Sequence, residues 1–153
     1  MQAYKVIWQE GMLLRPQHLQ HNDRYYQQQL NQTRLMGSNG WGFLTLHVDT
    51  QHLNLGKVVL TQASGMFPDG SLFALDSADE PLVLQVPVGA GGQAVYLALP
   101  LAIGNQVEAR LPEQGDVLAR YVSCELQVGD SNAGADSRCQ IHCARPDLRL
   151  VLG

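Results

Sequence analysis

The chain has 153 residues, of which 45% are hydrophobic and 16% charged, and its formal net charge is −4. This length suits one domain with its own core, and the composition is too apolar for a disordered chain. The ten Lys and Arg residues form no block. Nucleic acid is therefore not expected as a partner, because neutralising phosphates requires clustered cations.

The sequence also argues against a membrane span and against a disulfide scaffold. No apolar run approaches the roughly 20 residues that a membrane-spanning helix needs. The N-terminus, MQAYKVIWQEGM, lacks the apolar stretch of a signal peptide. Three cysteines, an odd and small number, fit a reducing compartment. We therefore expect a cytoplasmic protein without direct membrane insertion.

An N-terminal arm, residues 1–15, is predicted to precede one α-helix over residues 16–36. Pro16 suits the first helical position, where its missing N–H costs nothing, and Gly37 is a candidate C-cap. The side opposite the apolar positions is rich in Gln and Asn, so we expect the helix to pack on a neighbouring surface. The apolar stripe is thin: Leu19, Tyr26, Leu30 and Thr33.

After Gly40 the sequence consists of short apolar runs separated by Gly, Pro, Asn and Asp. This pattern predicts a mainly β fold. We expect an antiparallel β-sandwich over about residues 41–152, together with the one N-terminal helix. Phe67 to Gly70 predicts the type I turn of a hairpin. The almost wholly apolar run Ala94 to Leu101 is predicted to be a central strand buried on both faces. We expect strands at 41–49, 57–64, 71–75, 81–88, 94–101, 116–128, 138–144 and 147–152.

Two groups of possible metal ligands occur, and both are incomplete. His18 and His21 lie three residues apart on the predicted helix and could share a face, but zinc needs one or two further ligands. Cys139 and Cys143 with His142 match no standard zinc spacing, and an alternating strand would bury both cysteines as small hydrophobic side chains. We therefore expect no metal and no cofactor.

The sequence contains no set of residues that indicates catalysis. The motif GxSxG is absent. The glycine-rich segment Gly89 to Ala94 lacks the Lys-Ser/Thr pair of a phosphate-binding loop and precedes a strand, so we predict a tight hairpin turn there. A structural or binding role is accordingly expected in place of an enzymatic one.

The arm carries apolar side chains that are too few to fold alone: Trp8, Met12, Leu13 and Leu14. They could pack back as an N-terminal strand on the sandwich. They could equally form an assembly surface, because Trp and Met are enriched at interfaces. The composition alone leaves both possibilities open.

The segment VIWQEGMLLRPQHLQHND, from Val6 to Asp23, resembles the opening of the TssK family of type VI secretion baseplate subunits. Leu19 departs from the Phe that the family often has. The segments YYQQQL, WGF, GMFPDGSLF, VYLALPL, RY and DLRLVL follow in the family's order, so the resemblance covers residues 1–152. The shared positions of the opening are Val6, Trp8, Glu10, Gly11, Met12, Leu14, Pro16, Gln17, His18, Gln20 and Asp23.

The resemblance implies a cytoplasmic homotrimer with an N-terminal shoulder, a helical neck and a C-terminal head. The shoulder is a β-sandwich akin to that of siphophage receptor-binding proteins, and residues 16–153 would correspond to it. The neck and head would be absent from this chain. In the family the shoulder binds a baseplate wedge of TssF, TssG and TssE, and the head binds the membrane complex at the inner face of the inner membrane. No catalysis or cofactor is implied.

Residues of the arm and helix are the expected contacts with protein partners: Trp8, Met12, Leu13, Pro16, His18, Tyr25 and Tyr26. The alternative is a carbohydrate- or receptor-binding β-sandwich of phage-like origin. Such a site needs exposed aromatic side chains beside acids and amides. Only Trp41, Phe43 and the segment Phe67 to Asp69 approach that pattern.

Overall fold

The computed structural model describes residues 3–37, 40–101, 107–132 and 137–153. The fold is mainly β with one α-helix, as predicted, and it divides into two compact units. The first unit comprises residues 1–31 and 100–147, and the second comprises residues 32–99 and 148–153. The elements are β1 (Lys5–Val6), α1 (Pro16–Met36), β2 (Gly42–Asp49), a 3₁₀ helix (Thr50–Leu55), β3 (Lys57–Met66), β4 (Leu72–Leu75), β5 (Leu82–Gln85), β6 (Val95–Ala98), β7 (Ala109–Arg110), β8 (Tyr121–Val128), β9 (Cys139–Pro146) and β10 (Arg149–Leu152).

Helix α1 has the predicted bounds. It begins at Pro16 and ends at Met36. Gly37 follows with φ +56°, a left-handed conformation that terminates helices and that glycine adopts without a Cβ clash. Arg34 in the last turn places a positive charge near the negative end of the helix dipole. Local sequence signals therefore determine both helix ends.

The first unit contains a sheet with strand order β1-β9-β8-β7. Strands β8 and β9 form a long antiparallel ladder, β1 pairs antiparallel with the other side of β9, and β7 pairs parallel with β8. As predicted, Cys139, Ile141 and Cys143 share a buried face of β9. They form a core cluster with Val128, against which Tyr4, Cys124 and Leu126 pack.

The second unit contains two sheets that contribute to one core. Strand β3 pairs with β2 on one side and with β4 and β5 on the other, while β6 pairs with β10. All of these pairs are antiparallel. The core side chains are Leu60, Ala63, Phe73 and Leu75, with Phe67, Leu82, Leu97, Leu148 and Leu150 packed against them.

The predicted hairpin turn at Phe67 to Gly70 is confirmed. The N–H of Gly70 donates to the Phe67 carbonyl at 2.9 Å, and the N–H of Phe67 donates to the Ser71 carbonyl at 2.8 Å. Gly70 has φ +83°, which favours glycine at this position. The turn connects β3 to β4 and fixes their register.

The prediction that Ala94 to Leu101 is a central strand is wrong. Strand β6 covers only Val95–Ala98 and, within the described residues, pairs with β10 alone. Val95 and Leu97 are half-buried while Tyr96 is 56% exposed. The run is apolar on both faces, but only one face meets a core. The apolar run alone therefore led to the prediction of more burial than this strand has.

Three other sequence predictions need correction. Gly89 to Ala94 is not a hairpin turn, because β5 pairs with β3 whereas β6 pairs with β10. Strand β5 ends at Gln85, and Val88 is fully exposed beyond it. Strand β8 begins only at Tyr121, because hydrogen-bonded turns precede it at Leu111–Gln114 and Gln114–Val117.

Candidate protein-binding surface

The N-terminal arm begins as a short strand on the sheet of the first unit. Lys5 pairs with Ala144 and Val6 with Cys143, and the N–H of Ile7 donates to the His142 carbonyl at 3.0 Å. Val6 is almost completely buried. The possibility that Trp8, Met12, Leu13 and Leu14 form an N-terminal strand is wrong, because the strand covers only Lys5–Val6 and residues 8–15 leave the sheet.

The arm then reverses direction at Glu10 and Gly11. The N–H of Met12 donates to the Gln9 carbonyl at 3.4 Å, and Gly11 has φ +80°. A positive φ at the third residue is what a type II turn requires, so glycine is favoured here. Met12 folds back with its Sδ 3.5 Å from the Gln9 N–H nitrogen and is half-buried. The turn gives residues 8–15 a defined path.

His18 closes the first turn of α1. The Arg15 N–H donates to His18 Nδ1 at 3.1 Å, and the His18 N–H donates to the Arg15 carbonyl at 3.0 Å. The Trp8 ring lies 6.4 Å from the His18 ring, between centroids, at a tilt of 44°. Because Nδ1 accepts a backbone hydrogen bond, its lone pair is engaged within the fold. His18 therefore orders the arm and the helix start.

His21 connects the helix to the arm. Its Nε2 donates to the Tyr4 carbonyl at 2.9 Å, since a carbonyl oxygen can only accept. The side chain is buried, and desolvation by this burial lowers the pKa of His21. The hydrogen bond to Tyr4 acts in the opposite direction, while the charge of Arg24 lowers the pKa further. A neutral His21 thus holds the arm backbone.

Glutamines on the same side of the helix dock on the segment between β8 and β9. Gln17 Nε2 donates to the Ser137 carbonyl at 2.8 Å. Gln20 Nε2 donates to Asp130 Oδ1 at 2.8 Å, and its Oε1 accepts from the Ser131 N–H at 2.9 Å. The polar side of α1, including His18 and His21, is therefore the side that the first unit buries. Each amide or imidazole gains partners that offset its loss of water.

The apolar side chains of the arm and helix consequently remain exposed. We define the arm surface as Trp8, Leu13 and Leu14, and the helix stripe as Leu19, Tyr26 and Leu30. Leu13 and Leu30 are each 71% exposed, and the other members are about half exposed. Exposed apolar side chains at this density are typical of surfaces that bind another protein.

The residues predicted as partner contacts fall into three groups. Trp8, Leu13, Pro16 and Tyr26 are exposed. Met12 and Tyr25 are half-buried, and His18 is buried. Leu14 and Leu19 were missed, although the Met-Leu-Leu run and the helical stripe pointed to them. The structure brings Trp8 against His18 and Tyr25 edge-on to Tyr26, with ring centroids 5.3 Å apart in the second pair.

Tyr25 is part of the internal structure of the first unit. Burial, followed by the neighbouring Tyr121, raises the pKa of Tyr25 to about 12. An ionised Tyr25 is therefore disfavoured. The protonated phenol acts as a packing group.

The described ranges contain no group of three or more His, Cys, Asp or Glu side chains that could hold a metal ion. No helix among the described residues is long and apolar enough to cross a membrane. Of the aromatic residues considered for carbohydrate binding, Trp41 and Phe43 are exposed, and Phe43 and Phe67 both contact Phe73, with ring centroids 5.4 and 4.7 Å away. The aromatic contacts thus serve mainly the core of the second unit.

The fold defines a mainly β class of domain, in which an anchored arm and helix present apolar side chains. A family model described as bacterial type VI secretion, VC_A0110, EvfL, ImpJ, VasE matches residues 18–153. The chain belongs to this family.

Similar proteins agree with this assignment. The chain is 38% identical over 152 residues to the type VI secretion system baseplate component TssK1 of Pseudomonas aeruginosa. The aligned region covers 96% of this chain and 34% of the relative. A crystal structure of TssK superposes with a TM-score of 0.70 and 36% identity, over 98% of this chain and 34% of the other. A chain of a TssK–TssF–TssG baseplate subcomplex shares the fold, with a TM-score of 0.65 and 23% identity over 100% of this chain and 52% of its own. This chain thus spans about a third of the curated relative's length.

Proposed function

We propose that this chain is a non-enzymatic structural adaptor domain of a bacterial type VI secretion baseplate. In this proposal residues 1–15 are an arm and residues 16–153 a shoulder domain, which docks on a wedge of TssF, TssG and TssE. The link to the membrane complex, at the inner face of the inner membrane, runs through parts of the relatives that this chain does not span. The support is family membership together with the 38% identity to a baseplate component.

The observation that carries the docking proposal is the way the arm is held. Its start pairs with β9, its middle turns at Gly11, and its end is fixed by His18 and His21. These anchors use backbone groups and buried polar side chains. They leave Trp8, Leu13 and Leu14 outside the core of the first unit. The arm is therefore held in a form that presents apolar side chains to another protein.

The magnitudes favour docking through these side chains. Full burial of an exposed Leu contributes roughly 1.5–3 kcal/mol. Trp is among the residues most enriched at positions that dominate interface energies. Burying Leu13 and Leu14 together with the exposed half of Trp8 would therefore supply several kcal/mol of gross binding free energy, on the order of what one interface hot spot contributes.

The helix stripe is proposed as a contact between protomers of a homotrimer. Leu19, Tyr26 and Leu30 lie on the side of α1 opposite its buried Gln and His side chains. Residues spaced by seven and four positions form one face of a helix. Such a face is suited to packing against equivalent helices around a symmetry axis.

The docking proposal is tested by co-purification of TssF and TssG with the full-length protein that carries this domain. We expect Trp8→Ala or Leu13→Ala to weaken capture by roughly tenfold or more, the equivalent of about 1.4 kcal/mol. The matched control is Leu55→Ala, because Leu55 is 68% exposed on the 3₁₀ helix, outside the arm. The control should capture the wedge as the unsubstituted protein does.

Thermal melting separates docking from folding. Truncating a fully buried Trp costs roughly 3–5 kcal/mol. Leu13 is largely exposed and Trp8 about half exposed, so Leu13→Ala should change the melting temperature little and Trp8→Ala should lower it less than loss of a buried Trp would. Unchanged capture by both variants would contradict the proposal. Reduced capture accompanied by a large fall in melting temperature would assign these side chains to the core instead.

A further inference from the structure

Two cysteines of the first unit lie directly opposite each other on neighbouring strands. In the antiparallel ladder of β8 and β9, Cys124 is the partner of Cys143. Cys143 belongs to the core cluster of this sheet and is completely buried, and the half-buried Cys124 packs against that cluster. The third cysteine, Cys139, is paired with Val128 at the far end of the ladder. All three thiols are reduced in this structure.

The hydrogen-bond pattern fixes the separation of the pair. The N–H of Ile7 donates to the His142 carbonyl, which directs the His142 backbone toward β1. Neighbouring residues of a strand direct their backbone groups to opposite sides, so Cys143 faces β8. Cys124 and Cys143 are therefore a hydrogen-bonded pair, whose Cα atoms are about 5.5 Å apart in such ladders. This value lies within the span of about 4.4–6.8 Å that a disulfide bridges.

The electrostatics of the thiols agree with this proximity. Burial raises the pKa of Cys143 to about 12, and the neighbouring Cys124 adds to that increase. Burial also raises the pKa of Cys124, while the charge of Arg145 lowers it. The two sulfur atoms are thus close enough for a negative charge on one to disfavour a charge on the other.

We propose that Cys124 and Cys143 are a cross-strand dithiol that an oxidising small disulfide, such as oxidised glutathione, converts to a reversible disulfide. The proposal concerns a modification of the sheet itself and does not depend on the docking surface. It also differs from a disulfide scaffold, because both thiols are free in this structure.

The chemistry balances in two exchange steps. The Cys124 thiolate, on the more accessible side chain, attacks one sulfur of oxidised glutathione and releases one glutathione thiolate. The Cys143 thiolate then attacks the Cys124 sulfur of the mixed disulfide and releases the second. The two protein thiols lose two protons and two electrons, and one oxidised glutathione becomes two reduced ones.

The geometry also predicts that the bond is easily reversed. Directly opposite Cβ atoms lie about 4.5–5.5 Å apart, whereas a disulfide holds them at about 3.5–4.5 Å. Closing the bond must draw β8 and β9 together, and the resulting strain makes the disulfide more reducible. The raised thiol pKa values make closure slow at neutral pH and faster at alkaline pH, because the thiolate is the reacting form.

The test treats the 153-residue chain with oxidised glutathione at mildly alkaline pH and maps the product by mass spectrometry without reduction. We expect the intact mass to fall by two hydrogens, and dithiothreitol to restore it. Because no Lys or Arg separates Cys139 from Cys143, a tryptic cross-link alone does not identify the partner of Cys124. Cys139→Ala is therefore the matched control and should form the same cross-link.

Cys143→Ala should stop the reaction at a glutathione adduct on Cys124. Stable accumulation of that adduct in the unsubstituted chain, without the two-hydrogen loss, would overturn the proposal. A cross-link that disappears in Cys139→Ala would overturn it as well. These results are read from the unsubstituted chain and the Cys139 variant, so they hold even if Cys143→Ala folds poorly.

Discussion

At the scale of single residues, the spacing of His18 and His21 is compatible with metal binding and with hydrogen bonding to the backbone. Two imidazoles three residues apart on a helix are consistent with metal binding. In this fold His18 instead accepts the Arg15 N–H, and His21 donates to the Tyr4 carbonyl. Each ring thereby satisfies a backbone group of the arm. The sequence could not distinguish these roles, because the partners are backbone atoms that any residue provides.

The burial of His21 predicts a dependence of stability on pH. Its pKa is lowered in the folded state, so the unfolded chain binds the proton more readily. This contribution to the free energy of unfolding is complete above the unfolded pKa of about 6.5 and is lost as the pH falls below it. We expect urea unfolding to show a larger loss of stability between about pH 7.5 and 5.5 in the unsubstituted chain than in His21→Gln.

The matched control for this measurement is His142→Gln. His142 is exposed on β9, so its substitution removes a histidine without disturbing the contact between His21 and Tyr4. The groups that face His21 are the Tyr4 carbonyl and the charge of Arg24, and the Gln variant leaves both in place. If the free energy of unfolding depends on pH equally in the unsubstituted chain and in His21→Gln, His21 is not the cause of this dependence.

At the scale of elements, helix α1 buries its polar side and exposes its apolar stripe. This arrangement is the reverse of an ordinary surface helix. The cause is that Gln17, Gln20 and His21 each find backbone or side-chain partners in the first unit. Pro16 and Gly37 predicted the two ends of the helix, and periodicity predicted its apolar stripe. It could not predict which side would face the fold, since that depends on partners distant in sequence.

The exposed stripe leads to a prediction about assembly. We expect Leu30→Glu to disrupt the proposed trimer of the full-length protein, because three carboxylates would be brought together at an apolar contact. Light scattering should report a lower mass for this variant. Leu55→Glu, on the exposed 3₁₀ helix, should keep the mass of the unsubstituted protein. If the Leu30→Glu variant still forms a trimer, the helix stripe is not the contact between protomers.

The strands were predictable where the sequence contains a turn motif or alternating apolar and polar residues. The hairpin at Phe67 to Gly70 and the alternation of Cys139, Ile141 and Cys143 both appear in the structure. The predictions failed for β6, because an apolar run does not reveal whether a strand has one neighbour or two. They also failed at Gly89 to Ala94, since a glycine-rich turn does not reveal which strands pair around it.

At the scale of the whole molecule, the charge balance predicts how docking should respond to salt. The chain has ten basic and fourteen acidic residues, and the proposed arm surface consists of apolar side chains. We expect wedge capture to change little between roughly 0.05 and 0.5 M salt, because screening weakens contacts between charges and leaves apolar burial intact. Co-purification at the two salt concentrations measures this. A marked loss at the higher one would indicate docking through charged groups instead.

The candidate surface was predictable in part. Trp8 and Leu13 were singled out as apolar side chains in a segment too short to fold alone, and both are exposed. Pro16 and Gly37 were predictable from the chemistry of helix ends. The roles of Gln17 and Gln20 were not, because their partners, Ser137 and Asp130, lie more than a hundred residues away in sequence.

The two-ended anchoring of the arm has a consequence for how a partner would be bound and released. A segment that is ordered before it binds loses little conformational entropy on docking, so more of its contact energy appears as affinity. Among related complexes, differences in affinity arise mainly from differences in the dissociation rate. The turn at Gly11 and the backbone contacts of His18 and His21 would therefore set how long a partner stays bound, although none of these groups needs to touch it.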